Sequence, residues 1–399
     1  MSYRLEYSTG RDVRVRAVGH PLAPIGMGEH VRSVWRALDE VGVPARIVDI
    51  YGPQGTPDPE LVAQYEPAVT PLLGDGVNIY CINGDEVKQA LTVLPNPMAP
   101  GSKNVIYPAW ELERYPSEWA EYLMKFDEVW APSAFIRDAV ARAVDIPVIH
   151  MPLACEVTRR ALYSRRYFGI RESAYAFFFS FDFLSYVERK NPFAVLDAFT
   201  ALAKERPYAD MVLVIKTNNA GRRPEMKARF DAAVAGLRDR VKVINGTLSD
   251  LEMKSLVWLT DCFVSLHRSE GFGRGLTEAM ALGKPVIATA YSGNMDFCTK
   301  ETAILIPYRL IGLRNGDYPH WQDQHWADAD VEAATHAMRQ LIDNPEAGRK
   351  LGERARVRLA ADFSYLATGL RYAARIEHLE RARQVAVAGQ VADGQRASA

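Results

Sequence analysis

Two glutamates, Glu270 and Glu278, bracket a run of glycines in the segment EGFGRGLTE, a pattern suited to gripping a bipartite anionic molecule. An apolar strand predicted over 262–266 delivers the chain into a bend where Gly271, Gly273 and Gly275 permit tight turns and close backbone approach. The helix predicted to begin near Arg274 aims its unpaired amides at whatever lies in that bend, and a phosphate or diphosphate is the natural guest. With Glu270 in the loop before the helix and Glu278 within its first turns, one carboxylate would meet each end of the ligand. The plainer alternative is a buried strand, turn and helix with one solvent-facing and one capping glutamate.

The run EGFGRGLTEAMALGKPVIAT, from Glu270 to Thr289, resembles the E-x7-E signature of retaining glycosyltransferases of family 4. That family has the GT-B fold, two Rossmann-like doubly wound α/β domains facing a central cleft, and uses nucleotide-sugar donors. The resemblance implies that Glu270 orients sugar hydroxyls beside the reacting carbon and that Glu278 accepts hydrogen bonds from the ribose. It places the donor against Gly271, Phe272, Gly273, Arg274, Gly275 and Leu276, with backbone groups around Ile244 and Asn245 facing the base. It further implies retention of anomeric configuration by front-face departure and attack, with no dedicated protein nucleophile.

Three more constellations bear on this reading. In FSFDFLSYVERKNPFAVLDAF, Arg189 and Lys190 stand just before a helix opened by Pro192, where cations oppose the macrodipole and an anion between them would relieve the conflict. The stretch resembles the family's R-K-N/G-P region, in which a lysine meets the donor diphosphate, and that role falls to Lys190 with Arg189 beside it. Asp182 stands where relatives carry a second basic donor; Lys216, ending the predicted strand MVLVIK, either supplies the missing charge or is a snorkelling strand-end lysine. Near the start of the chain Gly26 and Gly28 precede a helix predicted over 30–41. There they let a loop approach a ligand in the cleft or simply form an ordinary strand-to-helix turn. In YPAWELERYPSEW, Trp110, Glu111, Tyr115 and Trp119 combine aromatic faces with a carboxylate, which suits a sugar, although helix packing would use the same aromatics. Many relatives carry a histidine in this region, and Glu111 is the replacement the resemblance offers.

Breaking a glycosyl-phosphate bond develops positive charge on the anomeric carbon and negative charge on the departing diphosphate, so the site must stabilise both signs. The residues named above supply both. Asp328 and Asp330 match the D-x-D pair with which another glycosyltransferase architecture holds a divalent ion, but they stand directly before a helix, where Asp330 reads as a cap; no metal role is assigned. His20 and His267 fall near predicted strand ends. In SGNMDFCTKETAILIPYRL, Asp296 occupies the place of the family's G-x-x-E element, and the whole set resembles bacterial enzymes that act on cell-surface polysaccharides and lipopolysaccharides.

The 399 residues fit two α/β domains, and alternating strand and helix patterns predict them: an acceptor-side domain over 1–165 and a donor-side domain over 166–372. A helix over 373–386 is expected to cross back to the first domain, and residues 387–399 to be disordered on composition. A formal charge of -1 argues against nucleic acid as the main partner. No apolar run is long enough to span a bilayer, so the expectation is a cytoplasmic enzyme with no cofactor, acting at most at the inner face of the membrane. Its partners would be a UDP- or GDP-linked sugar and a glycan, lipid-linked or small-molecule acceptor. The four cysteines are scattered and read as reduced core residues. Two other classes stay open: a nicotinamide-dependent dehydrogenase, with Gly26, Gly28 and Asp49 as a partial fingerprint lacking the third glycine, and a non-catalytic nucleotide-sugar-binding protein.

Overall fold

The computed structural model describes residues 14–23, 25–52, 58–71, 73–157, 163–237 and 239–397. The chain divides into two units, the first formed by Met1–Trp110, Arg114–Ala154 and Asp362–Ala399, the second by Glu111–Glu113 and Cys155–Ala361.

The first unit alternates β1 (Val15–Gly19), α1 (Gly26–Glu40), β2 (Ala45–Asp49), α2 (Pro59–Tyr65), β3 (Gly76–Tyr80), α3 (Val87–Val93), β4 (Ser102–Ile106), α4 (Ser117–Leu123), β5 (Glu128–Ala131), α5 (Ala134–Ala141) and β6 (Val148–His150). Its six strands lie in the order β2-β1-β3-β4-β5-β6 and all pair in parallel. Every residue of β3 and β5 is buried, as a parallel sheet covered on both faces requires.

The second unit runs β7 (Tyr175–Asp182), α6 (Val187–Lys190), α7 (Pro192–Glu205), β8 (Met211–Asn218), α8 (Pro224–Ala235), β9 (Val241–Asn245), α9 (Asp250–Leu259), β10 (Cys262–Ser265), α10 (Arg274–Ala281), β11 (Val286–Thr289) and β12 (Ile304–Ile306). An antiparallel hairpin, β13 (Tyr308–Gly312) and β14 (His325–Ala329), then leads to α11 (Val331–Asp343) and α12 (Pro345–Asp362). The parallel order is β12-β11-β10-β7-β8-β9. Phe177, Phe179 and Phe181 of β7 pack with Leu213 and Ile215 of β8 and with Val195 and Phe199 of α7 to form the core under one face.

In each sheet the strand order reverses once, between β1 and β3 in the first and between β7 and β10 in the second. Loops leaving the carboxyl ends of strands at such a reversal diverge to opposite faces and open a crevice, the usual ligand position in doubly wound sheets.

The last helix, α13 (Tyr365–Ala397), belongs to the first unit. Gly369 passes so close to α1 that an added Cβ would lie 2.1 Å from the Ala37 carbonyl oxygen. The Tyr372 ring stacks on Trp130 at 5.2 Å, and Arg375 Nε donates to Glu128 Oε1 at 3.0 Å.

The unit boundaries fall earlier than the predicted 165 and 372. The basic passage around the predicted boundary at 165 is tied into the second unit by Arg165, which donates to the Leu259 carbonyl at 2.9 Å and the Ala174 carbonyl at 2.7 Å and pairs with Asp261 at 2.7 Å. Residues 158–162 of that passage lie outside the described set. Over 387–397 the backbone is helical rather than disordered; the Ala and Gln counted toward disorder are also good helix formers. All four cysteines are buried and unpaired. Among the described residues no helix is long and apolar enough to cross a membrane.

Candidate functional site

At the reversal of the second sheet, the chain leaves β7 at Asp182 and enters α6, a single turn reading VERK. Its flanking residues Tyr186 and Asn191 take left-handed backbone, φ 57° and 54°, a conformation that costs non-glycine residues roughly 1–3 kcal/mol each. The Asn191 side-chain amide donates to the Leu266 carbonyl at 2.9 Å and fixes the turn against the chain leaving β10. Arg189 and Lys190 are thereby set opposite Glu270.

Lys190 Nζ lies 2.5 Å from Glu270 Oε1, and Arg189 Nη1 lies 3.3 Å from Oε2 while also donating to the Ser269 carbonyl at 3.1 Å. Burial of Glu270 opposes its ionisation, but Lys190 foremost and then Arg189 outweigh it and hold the carboxyl pKa at about 2. Burial pulls the Lys190 amine below its ordinary value against the opposing field of Glu270. The result is a buried carboxylate clasped by two basic side chains, an arrangement the sequence reading, which set both cations on a ligand, did not anticipate.

The glycine bend is shaped from below by residues that follow β11. The Glu270 amide donates to Ser292 Oγ at 2.8 Å, and the Gly293 amide donates to the Glu270 carbonyl at 2.9 Å. A Cβ on Gly293 would lie 1.9 Å from the Gly271 carbonyl oxygen, so only glycine fits. Ser292 itself is strained at φ 76°. Beneath them His267 is wholly buried, with Ser265 Oγ 2.9 Å from Nδ1 and Asn294 Oδ1 3.0 Å from Nε2. Burial pushes its pKa down, and the imidazole is neutral. Serine, glycine and asparagine at 292–294 are site residues the motif reading missed. The SGN triplet was quoted only as a frame for Asp296, and its glycine was the available signal.

Gly273, at φ 99°, caps α10, whose first-turn amides at Gly273, Arg274 and Gly275 have no intrahelical acceptors. Phe272 and Leu276, expected against the donor, are 6% and 2% exposed, and Phe272 packs on Phe297 at 5.3 Å. Their side chains belong to the core, so what they offer a ligand is backbone. Arg274 and Glu278 are partly exposed on α10.

Lys216, at the carboxyl end of β8, is 8% exposed, and among the described residues no acceptor lies within hydrogen-bond distance of its amine. Burial lowers its pKa to about 8, with Asp182 the opposing charge. Asp182 receives the Leu184 amide and the Asn219 side-chain amide, each at 2.7 Å. Other buried polar atoms nearby also lack partners: Arg189 Nε, Ser269 Oγ and Asn218 Oδ1. Buried polar atoms left without a partner are costly, and a polar ligand reaching these three would satisfy them. Ile244 registers with Lys216, and Asn245 is exposed at the end of edge strand β9, its Oδ1 accepting from Thr217 at 3.0 Å.

Several expected residues take other roles. Gly26 and Gly28 lie inside the first turn of α1 rather than in a loop before it. A Cβ on Gly28 would stand 2.1 Å from the Ala23 carbonyl oxygen, so packing of the turn on the preceding loop explains this glycine, whereas Gly26 faces open space. Trp110 is 2% exposed, edge-on to Tyr115 and Trp119 at 5.6 and 5.3 Å, with its indole N–H donating to the Arg114 carbonyl at 3.0 Å. It is a core residue and offers no face to a sugar. Glu111 groups with the second unit, 3.6 Å from Arg189 Nη1 and hydrogen-bonded by the Tyr318 hydroxyl. Asp330 caps α11, accepting from the Ala333 amide at 3.0 Å, while Asp328 pairs with Arg268 at 3.4 Å and Arg309 at 3.0 Å. In the first unit, His20 leaves β1 and bonds Glu86 Oε1 at 2.8 Å across that sheet's own reversal.

Residues 182–309 match the family model described as Glycosyl transferases group 1. No protein of curated function matches the sequence. By structure the chain is similar to HepE from Anabaena, in complex with UDP and glucose, at 13% identity and a TM-score of 0.67, over 92% of this chain and 100% of that one. It is also similar to sucrose-phosphate synthase from Thermosynechococcus elongatus, at 17% identity, a TM-score of 0.64, and 92% and 100% coverage. A glycosyltransferase from Rickettsia africae aligns at 13% identity with a TM-score of 0.62, over 92% and 99% of the two chains. The two Rossmann-like α/β units thus match structures of the GT-B glycosyltransferase fold.

Proposed function

We propose that the chain is a retaining, metal-independent glycosyltransferase of family 4 type. It moves a sugar from a UDP- or GDP-linked donor to a glycan, lipid-linked or small-molecule acceptor. The observation that carries this is the buried, ionised Glu270 held by Lys190 and Arg189 at the strand-order reversal of the unit that matches the group 1 model.

The roles follow from where charge develops. Lys190, Arg189, the unpaired Lys216 and the first-turn amides of α10 take the growing negative charge of the diphosphate, the task a divalent ion performs elsewhere. Glu270 lies beside the reacting carbon, where its charge favours the oxocarbenium-like state and its oxygens orient sugar hydroxyls. Glu278, farther along α10, accepts from the ribose, and backbone at Ile244 and Asn245 lines the base. The departing phosphate oxygen takes the acceptor's proton on the same face, which retains configuration. UDP comes first in order of test, because HepE was crystallised with UDP-glucose. The acceptor belongs to cell-surface polysaccharide or lipopolysaccharide assembly, reached from the cytoplasm at the inner face of the membrane; the support for this is the likeness of RKNP, WELERYP and WADADVEAA to that bacterial subgroup.

A thermal-shift panel of UDP- and GDP-sugars, run with and without EDTA and with NADH as a comparison, tests this directly. A nucleotide sugar should raise the melting midpoint strongly in both conditions. A shift with NADH alone would replace the reading with that of a dehydrogenase.

A further inference from the structure

One carboxylate that the resemblance set on the sugar side reaches the cation pair instead. Glu111 Oε1 stands 3.6 Å from Arg189 Nη1, and its other oxygen accepts from the Tyr318 hydroxyl. Tyr318 sits in the loop that joins β13 to β14, packed on Tyr186 at 4.6 Å between ring centroids and under the Arg189 guanidinium at 5.9 Å. The stretch matching the group 1 model ends at 309, so Tyr318 lies outside it, as does Glu111. Without a ligand, two cations therefore face two carboxylates. Glu270 sits within hydrogen-bond reach of both, while Glu111 is the looser partner and the buried Arg189 Nε has none.

We propose that Glu111, oriented by the Tyr318 hydroxyl, is a positioning residue that steadies Arg189 in the empty site and competes for it with the nucleotide's diphosphate, which promotes release of the spent nucleotide. This rests on the donor-site reading above. A diphosphate approaching Arg189 meets the Glu111 charge at close range, where little water screens it. Removing that charge must strengthen nucleotide binding and, because the product then lingers, slow turnover. A residue whose role is only structural would weaken both.

Calorimetric titration of UDP, and of GDP in parallel, into the full chain tests the idea alongside multiple-turnover release of UDP from UDP-sugars. Glu111→Gln should bind UDP about tenfold tighter, the scale of one ion pair near 1.4 kcal/mol, and turn over more slowly. Tyr318→Phe should shift both quantities the same way by less. Glu113→Gln, which removes the carboxylate that accepts from Tyr291 at 3.0 Å, controls for disturbance of the segment and should leave UDP affinity unchanged. Wild-type or weaker UDP binding by Glu111→Gln, with an unchanged melting temperature, overturns the proposal while the donor site stands. If Glu111→Gln melts early, Tyr318→Phe decides, since it keeps both charges: tighter binding supports the idea and equal or weaker binding ends it. Failure of the wild type to bind either nucleotide removes the donor-site reading itself, and the proposal with it.

Discussion

The two sheets share one construction and hold very different chemistry at the same place. Each reverses its strand order once, and each sends two loops outward from that point. In the second unit those loops carry Arg189, Lys190 and Glu270, with Glu111 and Lys216 close by, and several buried polar atoms there have no partner. In the first unit the equivalent loops carry the pair His20 and Glu86, hydrogen-bonded to one another at 2.8 Å. The backbone supplies the same reversal in both; the second gathers more buried charge there, which is what the proposed diphosphate site requires.

The largest expected effect comes from removing the charge that gives the second crevice its character. Glu270→Ala should reduce sugar transfer by about a thousandfold or more while UDP still binds, since two cations are then left free for the diphosphate. Turnover and calorimetry on the same preparation check it; near-normal transfer would erase the contrast between the units.

Lys216→Met should weaken UDP binding roughly tenfold and stabilise the ligand-free protein, by up to about 3 kcal/mol below pH 8. The sign follows from its lowered pKa: between about 8 and the ordinary 10.5 the unfolded chain holds a proton that the folded one has lost, so wild-type stability rises with pH across that window. Denaturant melts of wild type and variant from pH 7 to 10.5 should converge; a constant gap would deny that the amine is the cause.

Acid should act in two stages. His267 has a pKa held below 6.5 by burial, so its contribution is complete above 6.5 and is lost as the pH falls below that value. Glu270, held at about 2 against an ordinary 4.5, gives stability that is full above 4.5 and disappears on the way down to 2. His267→Gln should flatten the first stage and leave the second. Melting curves across pH 7 to 3 would show whether that step is present.

The smallest effect is expected in the first unit, where His20→Ala should leave the UDP dissociation constant within about twofold of wild type. A large loss of nucleotide affinity there would mean that the donor is not bound by the second crevice alone.

The glycine bend with Glu270, and separately RKNP, were legible as motifs because each sits in its own short strand-turn-helix run, although the contact between them spans 80 positions and was not foreseen. The alternation of β and α segments was legible for a similar reason, since fully buried parallel strands such as GVNIY and MVLVIK announce themselves by composition. What escaped depends on contacts distant in sequence. Ser292 and Gly293 hold Glu270 from 22 and 23 positions away, and Tyr318 meets Glu111 across 207. Gly28 and Trp110 misled because a glycine near a helix start and a tryptophan beside a carboxylate serve packing as readily as binding. At Gly28 the 2.1 Å approach to the Ala23 carbonyl gives packing a reason for the glycine that no local pattern encodes.

The first unit is closed by a helix that follows the second unit in the chain. Tyr365 and Arg375 of α13 bond to Arg36 of α1 and Glu128 of β5, and Gly369 leaves no room between α13 and Ala37. During synthesis α1 is made before the second unit and α13 after it, so the α1 face stays uncovered while the intervening unit can complete its own core. The order of synthesis and the order of completion thus differ between the two units, and the apolar stripe of Val31, Val34 and Leu38 on α1 is the surface left waiting in the interval.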